Sequence, residues 1–224
     1  ILGNAYVDIQ DTARARRNYV QALEFAENTG NDTLLITAYN NLGNIYSEVP
    51  ATADRGIAYY NRGIALAEKL NLPEEGLFSK INIAWTYLDN GKYDMAFPYL
   101  EESLEMLGEK EDNYVRSNLY MLLGRYFDKK QLQDSAKTYY REALYLAEAD
   151  SLILQASEVS KNFAELLFNE GQFEEAYTTL EKHNDYNSQI FEKDRLEQIE
   201  AANARFDLNE YQKNLEIAKN EQVY

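Results

Sequence analysis

Cysteine is absent from this chain of 224 residues, so it can form neither a disulfide nor a thiolate nucleophile. Proline and glycine are scarce, at 3 and 10 residues, which is too few turn formers for an all-β sandwich of this length. No run of 18 apolar residues occurs, so the sequence predicts no membrane-spanning helix. The long stretches also lack runs of β-branched residues and are rich in Ala, Leu and Glu, which predicts an all-α protein.

Positive charge is also in short supply. The chain has 22 Lys and Arg against 38 Asp and Glu, for a net charge of −16. A nucleic-acid-binding face needs clustered basic side chains that displace counterions from phosphates, and the sequence has no basic block. We therefore expect no nucleic-acid partner and no anionic membrane partner, and a preference for neutral or basic protein segments. A solvated acidic exterior without a partner explains the same composition.

Catalytic signatures are missing from the sequence. His183 is the sole histidine, so Cys/His pairs and most Ser/His pairs are excluded, and no residues near it have metal-ligand spacing. Carboxylate pairs such as Glu101-Glu102 and Glu174-Glu175 are expected at helix surfaces, in water. The sequence therefore predicts no enzyme, no cofactor and no metal site, with His183 in a structural position and a hydrolase or transferase disfavoured.

A pattern with a period of about forty residues organises most of the chain. It consists of a large apolar residue, a small residue and, three positions further on, an aromatic residue. Its copies are Leu2-Gly3-Tyr6, Leu42-Gly43-Tyr46, Ile83-Ala84-Tyr87, Leu123-Gly124-Phe127 and Phe163-Ala164-Leu167, the last without the aromatic. The final members of these triplets lie 40, 41, 40 and 40 positions apart. Such self-similarity is typical of repeat proteins.

A second pattern follows each copy of the first: a small residue, a bulky one four positions later and a small one after three more. It occurs as Ala15-Tyr19-Ala22, Gly56-Tyr60-Gly63, Ala96-Leu100-Ser103, Ala136-Tyr140-Ala143 and Ala176-Leu180-His183. Spacings of three and four put each set on one stripe of a helix, where small residues allow close packing. Each unit is therefore predicted to be a helical hairpin, helix A followed by helix B.

Turn residues separate the predicted helices. Gly91 and Gly171 lie where a helix A should end, and Pro50 interrupts the second unit with one extra residue. Pro73 falls at the first turn of the next helix A, where its missing N–H is harmless.

These triplets, with Gly91-Lys92-Tyr93 and Gly171-Gln172-Phe173 as inter-helix turns, resemble the tetratricopeptide repeat family. The resemblance implies a right-handed α-solenoid of about five hairpins, each about forty residues long. We expect a repeat array over 1–183 with units at 1–30, 31–71, 72–111, 112–151 and 152–183. Gly56 and Gly63 stand where the family prefers alanine, which suggests a looser second repeat. Leu167 and His183 suggest a less typical last one.

After His183 the period breaks, and residues 184–224 are expected to form a capping or linker helix. Leu208, Tyr211, Leu215 and Ala218 keep a three-four-three spacing, while Leu196, Ile199 and Phe206 follow the same rhythm in another phase. The tail could therefore be a plain cap or a short, imperfect coiled coil that makes a homodimer.

The tail resembles linkers of bacterial membrane-tethered signalling proteins that carry these repeats outside the membrane. The matching residues are Ser188, Ile190, Phe191, Glu192, Lys193, Ile199, Phe206 and Gln212–Gln222. This resemblance implies the sensory region of a histidine kinase or transcription regulator, in the periplasm and tethered to the inner membrane; a cytoplasmic location is the alternative. The chain begins at Ile1 within a repeat, so we interpret it as a fragment whose targeting segment is not in view.

Three asparagines of the second helix A lie away from its packing stripe. With about 100° per residue and Leu42 at 0°, Tyr46 falls near roughly 40°. Asn40, Asn44 and Asn41 fall near roughly 160°, 200° and 260°. In the family, helix A lines the concave groove, and the Asn41 position resembles its peptide-clamping asparagine. The same register position holds Asn82 in the third repeat, Leu122 in the fourth and Asn162 in the fifth.

Carrying this register through the array gives a candidate groove that binds a peptide or protein segment. Its predicted members are Asn40, Asn41, Asn44, Phe78, Asn82, Trp85, Arg125, Lys129, Lys161 and Asn162. Amides can both donate and accept hydrogen bonds, the two aromatic residues would be apolar anchors, and Arg125 a charged one. Two interpretations stay open: a sensory or adaptor domain with a groove ligand, and a structural assembly module whose tail dimerises while the groove stays empty.

Overall fold

The structure is a computed structural model that describes Asn4 and residues 11–221, with side chains as far as Phe206. The first triplet, Leu2-Gly3-Tyr6, lies outside the described residues. So do the side chains of the tail residues Leu208, Tyr211, Leu215 and Ala218.

The described part of the chain is α-helical and contains no strand, which confirms the predicted fold class. Its helices from residue 11 onward are α1 Thr12–Thr29, α2 Asp32–Ser47, α3 Ala53–Lys69, α4 Pro73–Asp89, α5 Tyr93–Leu107, α6 Asn113–Lys129, α7 Gln133–Ala149, α8 Ile153–Asn169 and α9 Phe173–Glu221. They form two compact units, Ile1–Asp150 and Ser151–Tyr224.

In the first unit the helices pair as hairpins and each hairpin stacks on the next. Helix α2 packs on α3, α4 on α5, and α6 on α7, while α3 also contacts α4 and α5 contacts α6. The A helices of successive repeats are neighbours too, because α2 contacts α4 and α4 contacts α6. One helical surface of the unit therefore consists of A helices lying side by side.

The core of the first unit is built from the two repeated triplets. Leu42, Ile83 and Leu123 are almost fully buried, and so are Ala96 and Ala136 from the B helices. Burying such side chains is worth about 1.5–3 kcal/mol each for the larger ones, which makes the stripes the main source of stability.

The small residue of helix A and the bulky residue of helix B vary together. A Cβ added at Gly43 would lie 2.3 Å from the ring of Tyr60, and one at Gly124 would lie 2.9 Å from the ring of Tyr140. In the third and fifth repeats the pairs become Ala84 with Leu100 and Ala164 with Leu180. Glycine is thus present where a tyrosine ring crosses, and alanine where leucine takes its place.

The expectation of a looser second repeat is wrong at Gly56. A Cβ there would lie 2.8 Å from both the carbonyl oxygen of Gly43 and the backbone nitrogen of Ser47. Helix α3 therefore approaches the backbone of α2 so closely that only glycine fits. At Gly63 the nearest atom to an added Cβ is the hydroxyl of Ser79 at 3.5 Å, an ordinary contact.

The structure shows an aromatic position on helix B that neither of the two repeated triplets includes. Tyr59 stacks on Tyr46 with ring centroids 5.6 Å apart. Tyr87 meets Tyr99 at 5.9 Å, and Phe127 stacks on Tyr139 at 5.3 Å. In the fifth repeat both members change, to Leu167 and Thr179. The fifth repeat therefore lacks both aromatic residues of this pair, the one on helix A and the one on helix B.

The predicted turns form as expected. Gly91 and Gly171 end their A helices with φ of 70° and 77°, in the left-handed region that favours glycine. Helix α4 begins at Pro73, and Pro50 starts one turn of 3-10 helix that ends at Thr52. Gln131 and Ser151 adopt left-handed φ values of 60° and 55° without being glycine.

The second unit consists of α8 packed against α9. Helix α9 continues from Phe173 to Glu221, so the expected boundary at 183 falls inside a single helix. Neither glycine nor proline follows Gly171, so nothing in the sequence interrupts it. In the described residues, no helix is both long enough and apolar enough to span a bilayer.

Candidate partner-binding face

The A helices of the first unit bring together six of the predicted groove residues. We call this surface the A face, and it consists of Asn40, Asn44, Phe78, Asn82, Trp85 and Arg125. Phe78, Asn82 and Trp85 follow four-three spacing on α4, so they share one side of that helix. Asn41 lies half-buried on α2 beside this set.

An amide bridge joins the second repeat to the third on the A face. The Nδ2 of Asn82 donates to the Oδ1 of Asn40 at 3.2 Å and to the Oδ1 of Asn44 at 3.1 Å. Ser79 adds a longer bond, its hydroxyl donating to Asn40 at 3.3 Å. Each of these amides also carries a second polar group that the bridge does not use, which can meet a partner's backbone. The asparagine side chains thus join neighbouring A helices, and each keeps one polar group outside the bridge.

Asn44 has a further partner in the core. The hydroxyl of Tyr60 donates to its Oδ1 at 2.7 Å, and the hydroxyl of Tyr19 donates in the same way to Asn4 at 2.8 Å. Burial raises the pKa of Tyr60 to about 12, since desolvation disfavours its phenolate. The sequence had placed Asn44 opposite the packing stripe; the long tyrosine side chain reaches it from helix B.

Arg125 links the third repeat to the fourth. Its Nη2 lies 2.5 Å from the Oδ1 of Asp89, and its guanidinium carbon lies 5.7 Å from the centre of the Trp85 ring. Guanidinium groups pair with carboxylates and stack on aromatic faces, so Arg125 holds α6 against α4. Asp89 remains half exposed and adds negative charge at the edge of the A face.

The apolar part of the A face is on α4. Phe78 is 45% exposed, and Trp85 is half-buried two turns along the helix. Asn82 lies between them, so the surface offers two apolar anchors on either side of an amide. This is the arrangement that an extended segment with alternating apolar side chains would fit.

The remaining predicted groove residues differ in placement. Lys129 pairs with Asp128 at 3.0 Å, at the end of α6. Lys161 and Asn162 lie on α8 in the second unit, where Lys161 is exposed and the Nδ2 of Asn162 donates to the carbonyl of Glu158 at 2.8 Å. In the fourth repeat the register position of Asn41 holds Leu122, which is fully buried. Residues at equivalent positions of different repeats are therefore not all at the surface.

His183 forms a closed hydrogen-bonded ring in the second unit. The Ser157 hydroxyl donates to the Oδ1 of Asn187 at 2.8 Å, and Asn187 in turn meets the His183 Nε2 at 2.9 Å. The His183 Nδ1 lies 2.8 Å from the carbonyl oxygen of Ser157, so that nitrogen carries the proton and the ring closes. The Ser157 hydroxyl also lies 3.0 Å from the His183 Nδ1, so these contacts together join α8 to α9. Sequence reasoning missed Asn187, although it lies one turn after His183.

Nothing in the described residues gathers three or more potential metal ligands. The A face itself has amides, two aromatic side chains and an arginine–aspartate pair, which can make hydrogen bonds, apolar contacts and ion pairs.

Comparison with known proteins matches two segments of the chain to models of the tetratricopeptide repeat. They are residues 79–109 and 117–150, which span the third and fourth hairpins. No curated protein matches the chain.

Solved structures share the fold at low sequence identity. BtubC (BKLC) from P. vanneervenii is 19% identical with a TM-score of 0.64, over 84% of this chain and 78% of that one. A kinesin light chain from Podosopora anserina with nearly identical TPR-like repeats is 16% identical with a TM-score of 0.60, over 84% and 93%.

A Rap protein complexed with competence and sporulation factor is 16% identical, with a TM-score of 0.74. The match covers 83% of this chain but only 52% of the Rap protein. At these identities the likeness concerns the fold.

Proposed function

We propose that this tetratricopeptide repeat protein is a non-catalytic interaction module whose A face binds an extended peptide or protein segment. The observation that carries the proposal is the row on α4, in which Phe78 and Trp85 stand on either side of Asn82. Aromatic anchors beside a polar group that can pair with a backbone are the usual elements of segment recognition. The Rap protein complexed with competence and sporulation factor, which shares the fold, is consistent with this use.

Charge favours neutral or basic segments. The chain has a net charge of −16, and the half-exposed Asp89 lies beside Trp85 and Arg125 at the A face. An acidic segment would meet repulsion from the whole molecule, whereas a lysine or arginine in the ligand could approach Asp89.

The A face can also respond to a ligand. Asn82 and Arg125 hold neighbouring repeats together through contacts on the same surface that the ligand would cover. A ligand that competes for these groups changes how α2, α4 and α6 hold one another. We therefore propose a sensory or adaptor role in a bacterial signalling protein, as the resemblance of the tail suggests.

A displayed library of short random peptides, selected on the whole chain, tests the binding proposal. We expect neutral or basic peptides whose affinity falls about tenfold or more in Phe78→Ala and in Trp85→Ala, as for interface anchors. The matched control is Tyr145→Ala, an exposed aromatic on α7 that should change nothing. Peptides insensitive to both α4 variants, or a selection without binders, would exclude the A face as the binding surface.

We further propose that the region lies in the periplasm, attached to the inner membrane in its parent protein. The support is the resemblance of residues 188–222 to linkers of membrane-tethered sensors. A membrane-impermeant amine reagent should label the lysines of this region in cells with a permeabilised outer membrane. Protection of those lysines until the inner membrane is also opened would place the region in the cytoplasm.

A second candidate function is assembly through α9. Phe191, Leu196 and Ile199 are exposed on this helix, and a second copy could cover them. A chain ending at Ile190 should then lose dimers in light scattering. An unchanged mass on truncation would argue against assembly through this helix.

A further inference from the structure

A cavity of about 530 Å³ lies between α3, α4 and α5, in the first unit. Its lining includes Ile64, Glu68, Gly76, Lys80, Glu102 and Met106. On α4, Gly76 and Lys80 lie roughly 120° and 160° around the helix from Asn82. The cavity therefore opens on the side of the hairpin opposite the A face, and its occupation is independent of the function proposed above.

Two departures of the third repeat from its neighbours create this cavity. Gly76 occupies the position that holds Arg116 in the fourth repeat, where the guanidinium donates to the carbonyls of Gly108 at 2.8 Å and Lys110 at 3.0 Å. A Cβ added at Gly76 would meet only the Cβ of Ala67 within 4 Å, at 3.7 Å. The third repeat thus has no side chain at a position where the fourth repeat carries an arginine bonded to the preceding loop.

The second departure is Lys80, at the position of Tyr39 and Tyr120 in the neighbouring repeats. Those tyrosines pack on Tyr59 and Tyr139, with ring centroids 6.3 and 5.6 Å apart. The side chain of Lys80 is only 8% exposed, and its Nζ lies 2.5 Å from Glu102 and 3.8 Å from Glu68. A buried charge is costly unless it is paired, so a lysine here requires the carboxylates around it.

The charges at the cavity do not balance. One ammonium group faces two carboxylates, and the side chains of Glu68 and Glu102 are 67% and 51% exposed. Lys80 contacts one oxygen of each carboxylate, which leaves the second oxygen of each able to accept a bond. A flat, forked cation such as a guanidinium or amidinium group matches carboxylate oxygens better than a compact ammonium does.

We propose that this cavity binds a small organic cation. Its amidinium or guanidinium head pairs with Glu68 and Glu102, and its apolar body packs against Ile64 and Met106 over Gly76. The volume is within the range of about 300–1,000 Å³ that is usual for small-molecule sites. Lys80 is a positioning residue: it holds the two carboxylates at the cavity mouth and leaves one negative charge for the ligand.

The test compares benzamidine with benzamide, a neutral molecule of nearly the same shape, by calorimetry and NMR titration on the whole chain. We expect benzamidine to bind at least tenfold more tightly than benzamide. Gly76→Leu, which puts a side chain into the cavity, should abolish binding. Glu102→Gln should weaken it at least tenfold, whereas the control Glu101→Gln, an exposed neighbour on the same helix, should leave it unchanged.

Three results would overturn the proposal: no binding of benzamidine, equal binding of both probes, or full binding to both Gly76→Leu and Glu102→Gln. Thermal unfolding of each variant verifies that it is folded, and Glu68→Gln replaces any variant that is not. A capped arginine tripeptide distinguishes the source of the cation. If the tripeptide binds more tightly than benzamidine, the site takes a basic protein side chain and the small-molecule assignment fails.

Discussion

Single residues set the distance between the helices of each hairpin. Gly43 and Gly124 face tyrosine rings, whereas the residues at the equivalent positions of the third repeat are Ala84 and Leu100. The hydroxyl of Tyr60 also donates to Asn44 on helix A, and Tyr19, at the equivalent position of the first repeat, donates to Asn4. A larger residue at the helix A position therefore requires a smaller one at the helix B position. The repeats of this chain contain two such combinations, glycine with tyrosine and alanine with leucine.

Gly43→Ala should lower the free energy of unfolding by about 1–3 kcal/mol, the usual cost of overpacking, because the new Cβ would lie 2.3 Å from the Tyr60 ring. Urea unfolding followed by circular dichroism measures it. The matched control is Gly63→Ala, whose Cβ finds its nearest neighbour at 3.5 Å. This control should be neutral or stabilising by up to about 1 kcal/mol, because alanine is the better helix former. Equal effects of the two substitutions would contradict the close contact at Gly43.

Tyr60 should make stability depend on alkaline pH. Its pKa is near 10 in the unfolded chain and is raised to about 12 in the folded one. The contribution of the protonated Tyr60 to the free energy of unfolding is therefore complete below about pH 10, and it is lost as the pH rises towards 12. Denaturant unfolding between pH 9 and 12 should give a shallower loss of stability for Tyr60→Phe than for the wild type. Parallel curves for the two proteins would show that Tyr60 does not titrate in this way.

At the scale of elements, helix ends and inter-helix bridges decide how hairpins follow one another. Gly91 and Gly171 end their A helices with the left-handed φ that the sequence led us to expect, but the fourth repeat uses Gln131 in the same role. Its A helix was predicted correctly because Leu123, Gly124 and Phe127 keep their spacing, although the turn residue departs from the pattern. Bridges such as Asn82 with Asn44, and Arg125 with Asp89, then join one A helix to the next.

Gln131→Gly should stabilise the protein by about 1 kcal/mol, because φ at this position is 60° and a side chain there costs about that much. The melting temperature should rise accordingly. Gln133→Gly, at the first residue of α7, is the control and should not stabilise, since that residue is helical. A lower melting temperature for Gln131→Gly would mean that the glutamine side chain contributes more than its backbone strain costs.

At the scale of the whole molecule, stability comes from stacked hairpins, and the distal part of α9 adds little to it. From Phe191 to Phe206 every side chain is exposed. A chain ending at Ile190 should therefore lose helical ellipticity but keep its melting temperature at low concentration. A clear drop in melting temperature that depends on protein concentration would instead indicate that α9 stabilises the fold through a second copy.

The sequence by itself determined the class of fold, the hairpin unit and most turns, because packing stripes and turn residues act locally and recur with a fixed period. Leu42 and Tyr46 had to face the core, and Asn44 had to lie on the other side of α2. Only the tertiary structure decided what Asn44 does there. Asn82 and Tyr60, 38 and 16 positions away, both reach its side-chain oxygen.

The cavity at Lys80 is a second feature that only the tertiary structure decided. Gly76 and Lys80 look unremarkable in the sequence, since neither belongs to a packing triplet. They create an open, charged space because α3, α4 and α5 meet at that point. In the neighbouring repeat, Arg116 stands at the position of Gly76. A periodic sequence predicts which residues pack within a unit, but the contacts between units depend on how long side chains cross from one helix to the next.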